Sequence, residues 1–396
     1  MAEEDKVVVS CDCNTTLRPN WSELQLDLLE LILKRLALVD IARFKLVSSS
    51  WYAAAKSYIS GPVYKPLLPQ TPWLMLPRQR CDVDAGRFFS LSEKKVYIFK
   101  NLFQGFSGEE ERCLVGSSHG WLVMWDLNVL RVHLFNPISG DRIKLPPLGI
   151  GPMPRVCKVF LSSDPSCNKK FFVVAIYVQI VETKLAFHKH GDDGDNTTWT
   201  DLDSVPKRYD KLIFQNGLLF ALSLGEDSKS ILVWDFRGTY PCRSTEFQPP
   251  EKEVGQSSFA LYLVESLGEF LLVEKLRNLD SGLFYYDVHK LNFTPNRVEC
   301  LKVKCLQNRA LVLSENESAS MSLSTLDFPE LEANSIYVAQ ECYSFGHTHP
   351  FDLYSTVAAY NLESKDAHLM VKTCSRGLQH SMHDIRESMV FPYVFS

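Results

Sequence analysis

Residues 24–51 read LQLDLLELILKRLALVDIARFKLVSSSW, and this run carries more apolar surface than a helical unit of its size can hide within itself. At 100° per residue, Asp27, Glu30 and Lys34 fall on one narrow helix face. The apolar arc through Leu24, Leu28, Leu31, Ile32, Leu36, Leu29, Leu33 and Leu26 covers roughly 220°. A surface helix needs only about 100° to bury its core side. The surplus predicts contact with the rest of the chain or with another protein.

The punctuation around this run predicts three short helices across residues 20–60. Asp40 stands where an N-cap is wanted, with Ile41, Phe44 and Val47 following at helical spacing. Ser48 to Ser50 interrupt that helix and can cap the next, which carries Trp51, Ala54, Ala55, Tyr58 and Ile59. Gly61 and Pro62 end helical structure. The order of Leu24, Leu28, Leu29, Ile32, Leu36, Asp40, Ile41, Phe44, Val47, Trp51 and Ala55 resembles an F-box. That resemblance implies three helices docking onto the Skp adaptor of a cullin-based ubiquitin ligase. Leu24, Leu28, Ile32, Leu36, Asp40, Ile41, Phe44, Val47 and Trp51 would then supply the helical core and the adaptor contact, in shares the sequence does not apportion. One departure stands out: the family has Leu-Pro at its first motif, and Gln25 follows Leu24 here. Proline there would pre-set the helix start, so its loss predicts weaker adaptor binding. A helical hairpin packed on the following domain is the competing reading.

The chain has 396 residues, enough for two or three domains. Its hydrophobic content of 45% and charged content of 22% are those of a soluble globular protein. A formal net charge of −5 and the absence of any Lys/Arg run argue against nucleic-acid binding. Met1 to Lys6 is acidic and lacks the apolar core of a secretory signal. The longest apolar run, near Phe171 to Val181, is too short to span a membrane. The 11 cysteines are scattered without framework spacing, as expected of reduced thiols. These features predict an intracellular protein of the nucleus or cytoplasm, with no membrane partner.

Residues 61–79 are proline-rich, with Pro62, Pro66, Pro69, Pro72 and Pro77, and predict an extended, fairly stiff connector. Residues 80–396 change character to short strands and polar turns, for example Lys95–Phe99, Trp121–Trp125, Leu130–Phe135, Phe171–Ile176, Ser230–Trp234 and Phe270–Val273. Turns recur at His119-Gly120, Asn168-Lys169, Asn216-Gly217 and Leu267-Gly268, roughly fifty residues apart, the period of a kelch-like blade. The expected fold is therefore mainly β: a kelch-like β-propeller of about five to seven blades behind a small three-helix module. A pair of β-sandwiches is the alternative.

This second region also carries a resemblance. Gly116–Leu122 (GSSHGWL), Leu134–Gly140 (LFNPISG), Ile143–Pro147 (IKLPP), Asp327–Leu331 (DFPEL), Asn334–Tyr337 (NSIY) and Phe391–Val394 (FPYV) resemble a plant domain found behind F-boxes, of the Skp-interacting-partner type. The resemblance implies a non-catalytic substrate receptor. Between Leu311 and Ser320 the chain departs from that family's wording.

Motifs for chemistry dissolve on inspection. Gly116-Ser-Ser118-His-Gly120 satisfies G-x-S-x-G, but a strand follows where a nucleophile elbow needs a helix. Gly149-Ile-Gly151 lacks the strand and helix that cradle a dinucleotide. Cys11-Asp-Cys13, His347-Thr-His349 and Asp192–Asp195 each lack the ligand set of a metal site. No catalytic, cofactor or metal residue is therefore expected. The expected function is recruitment of an unidentified protein substrate to an SCF (Skp–cullin–F-box) ubiquitin ligase. A propeller scaffold with a degenerate F-box, and an enzyme with a site built from propeller loops, are the competing classes.

Overall fold

Leu29 and Leu33, one helical turn apart, are the two residues of the first helix that the fold buries. In this computed structural model the described residues are 21–36, 38–60, 72–76, 84–93, 95–100, 102–106, 112–137, 139–149, 154–179, 182–191, 198–203 and 207–224. The remaining described stretches are 229–238, 240–248, 257–277, 284–294, 298–314, 320–344, 352–374 and 389–391. Two compact units divide at Leu68 and Pro69.

The first unit holds a 3-10 turn, Trp21–Glu23, and helices α1 (Leu26–Leu33), α2 (Leu38–Phe44) and α3 (Ser49–Ser60). Helix α3 packs on both others. Ala54, Ala55 and Ile59 on α3 are buried, as are Leu29, Leu33, Ile41 and Phe44. The small alanines let the helices approach closely.

The second unit is built from sheets laid side by side, antiparallel except for one parallel pair in the sixth. The first contains β1 (Trp73–Leu76), β2 (Gly86–Ser90) and β3 (Lys95–Phe99). The second runs β4 (Arg112–Ser118), β5 (Trp121–Asp126), β6 (Arg131–Phe135) and β7 (Arg142–Pro147). The third runs β8 (Arg155–Leu161), β9 (Phe171–Gln179), β10 (Glu182–His190) and β11 (Thr200–Asp201). In the fourth are β12 (Tyr209–Gln215), β13 (Leu218–Leu224), β14 (Lys229–Asp235) and β15 (Cys242–Phe247). The fifth holds β16 (Ser257–Ser266), β17 (Glu269–Arg277), β18 (Phe284–Phe293) and β19 (Val298–Val303). A sixth, five-stranded sheet combines β20 (Arg309–Ser314), β21 (Met321–Ser324), β22 (Ser335–Ser344), β23 (Asp352–Asn361) and β24 (Ala367–Cys374). Finally β25 (Met389–Phe391) pairs with β1, setting Trp73 opposite Phe391 and Met75 opposite Met389.

Buried side chains from facing sheets interlock in sequence: second with third, third with fourth, fourth with fifth, fifth with sixth, and sixth with first. Between first and second, β25 lies against β4, and Arg142 on β7 holds the turn that leads from β3 to β4, its guanidinium 4.4 Å from the Phe106 ring centre and donating to the Gln104 carbonyl at 2.7 Å. Six sheets thus close into a ring, a six-bladed propeller within the expected five to seven. Polar links stitch neighbouring blades. Trp121 Nε1 donates to Asp164 at 3.1 Å, Trp199 Nε1 to the Pro146 carbonyl at 2.9 Å, and Lys158 Nζ to Asp210 at 3.0 Å.

Several expectations need correction. Trp73–Leu76, assigned from sequence to the connector 61–79, is a strand of the first blade; the flanking prolines hid a run of four apolar residues. Residues 61–71 of that connector lie outside the described residues. The Asn168-Lys169 turn is part of a longer loop in which Asp164 accepts from Ser166 and Asn168, whereas His119-Gly120, Asn216-Gly217 and Leu267-Gly268 are tight hairpin turns with positive φ at both residues. Ser118 sits on such a hairpin, strand to strand, and its hydroxyl accepts the Leu161 N–H at 3.3 Å. Gly149 is in a loop; Gly151, Cys11, Cys13, Asp192–Asp195, His347, His349 and 392–394 lie outside the described residues.

Candidate adaptor-docking face

The amphipathic logic of α1 is sharper in three dimensions than in the sequence. With Leu29 and Leu33 turned into the unit, Leu31 projects from the opposite side, and Leu28 lies beside it at 100° per residue. Leu28 is 47% exposed and Leu31 56%, while Ile32, Leu24 and Leu36 are half-buried. Solvent therefore meets leucine where a self-contained helix would place charge.

Gln25 starts this helix. Its carbonyl accepts the N–H groups of Leu28 and Leu29, each at 3.1 Å, and its side chain makes no capping bond. Its backbone angles are φ −62° and ψ 146°, so it already adopts the φ that proline would impose.

Asp40, expected as an N-cap, lies instead inside the first turn of α2, because that helix begins two residues earlier at Leu38. There its carboxylate complements the positive end of the helix and accepts from Arg43 Nη1 at 2.8 Å. Val47 was expected on the same helix, but α2 stops at Phe44 and Lys45 to Val47 form a turn. That turn swings Leu46 and Val47 into solvent, Leu46 being 85% exposed. Ser48 behaves as expected: its hydroxyl accepts the Trp51 N–H at 3.3 Å and caps α3.

The nine residues singled out from sequence therefore separate. Ile41 and Phe44 are core residues, and Trp51 is a half-buried anchor stacked on Phe44. Leu28 and Val47 face solvent, and Leu24, Ile32, Leu36 and Asp40 stand between. Leu31 and Leu46 were not singled out as site residues. The excess width of the apolar arc was the signal for Leu31; for Leu46 there was none, since only the end of α2 decides its direction. Two groups feel the unit's interior: burial and the nearby Lys56 push the Lys45 ammonium pKa down, and burial with the Glu30 carboxylate pushes the Tyr58 phenol up.

Compared with known families, residues 88–368 match the KIB1-4 beta-propeller and residues 21–61 match the F-box domain. The chain belongs to the KIB1-4 β-propeller family. F-box/kelch-repeat protein KIB1 of Arabidopsis thaliana is 35% identical over 302 residues, covering 74% of this chain and 72% of the relative. F-box protein KIB4 of the same plant is 26% identical over 339 residues, 76% of this chain and 78% of that one. F-box protein KIB3, also from Arabidopsis, is 30% identical over 229 residues; the match takes in 54% of this chain and 47% of the relative. This is thus a KIB-type F-box protein, and an F-box domain indicates binding to a Skp-type adaptor in general. No helix among the described residues is long and apolar enough to cross a membrane.

Proposed function

We propose that this KIB-type protein is the substrate receptor of an SCF ubiquitin ligase, holding an adaptor, and through it a cullin, with its helices and a target protein with its propeller. The observation that carries the reading is the outward placement of Leu28 and Leu31, apolar surface that the unit leaves uncovered on its own first helix. About half of each leucine is still open to solvent, so covering the rest against a partner is worth about 1 kcal/mol apiece. The receptor performs no covalent step in this scheme. It raises the local concentration of the target beside the charged enzyme. The helical module then spans 20–60 and the receptor ring begins at Trp73.

Co-expression with a Skp adaptor, followed by size-exclusion chromatography, tests the reading. The wild type is expected to co-elute, and a Leu28→Asp/Leu31→Asp variant to elute alone with its thermal transition intact, since neither side chain is in the core. A wild type that elutes alone sinks the reading and leaves a scaffold with a degenerate F-box.

A further inference from the structure

We draw no further inference here: the strongest candidate, the exposed edge-to-face pair of Phe259 and Phe284 at the bulged end of β16 in the fifth blade, is an apolar surface patch, and nothing in the structure shows what covers it.

Discussion

The indole of Trp51 lies on the ring of Phe44, centres 4.3 Å apart, and its Nε1 reaches across to the Trp21 carbonyl at 2.8 Å. One side chain thus ties α3 to α2 and to the 3-10 turn that precedes α1. Ser50 repeats the second tie, donating to the Ser22 carbonyl at 2.7 Å. Trp51→Ala should destabilise the helical module by about 2–4 kcal/mol, from lost packing and one lost bond. Hydrogen exchange across residues 38–60 should accelerate accordingly while the propeller strands keep their protection.

Gln25 is the family departure expected to weaken the adaptor contact, yet its φ of −62° is that of proline. Gln25→Pro should therefore fit without strain and stabilise α1 by about 0.4–1 kcal/mol through the unfolded chain. Adaptor affinity, measured by titration calorimetry, should rise by up to about fivefold. A fall in affinity would mean that the Gln25 side chain itself takes part in docking.

Leu267 occupies a hairpin turn at φ +54° and is 80% exposed. The equivalent turn residue in the fourth blade is Asn216, at φ +51°. A leucine there costs about 1–2 kcal/mol that asparagine largely avoids. Leu267→Asn should raise the denaturation midpoint of the propeller in urea, with an unchanged slope.

His188 is buried beside Trp199, and its Nδ1 is 3.3 Å from the Thr198 carbonyl, which fixes the proton on Nδ1 in the neutral ring. Burial pushes its pKa below the ordinary value of 6.5, outweighing the Thr198 bond, and His190 adds to the lowering. The native ring stays neutral where the unfolded one takes a proton. Stability from this group is thus present above about pH 6.5 and falls as pH drops below it, by at most about 1.4 kcal/mol per pH unit. His188→Phe should flatten the decline in melting temperature between pH 7 and 5. Asp235, held at about 2 chiefly by its hydrogen bonds from Arg237, titrates well below that window.

The blades were legible wherever β-branched and aromatic runs ended in a turn signal. Lys95–Phe99 matches β3 residue for residue, and Trp121–Trp125 falls one short of β5. Two things were not legible. In the sixth blade, β20 lies parallel to β22, Ala310 opposite Ser335, with β21 folded back on the other side; parallel pairing is long-range and leaves no local mark. On α1, the width of the apolar arc announced a surplus, but Leu28 and Leu29 are neighbours of equal hydropathy. Only the position of α3 turns Leu29 inward and leaves Leu28 outside.

The pairing of Trp73 with Phe391 sets an order of events at the ribosome. The first blade lacks its innermost strand until every other blade has been made, so through most of synthesis the nascent ring has open strand edges. The helices, made first, have no such wait. Under the proposed function, a chain that stops early would offer its helices to the adaptor beside an unsealed ring, and would occupy the ligase without delivering anything to it.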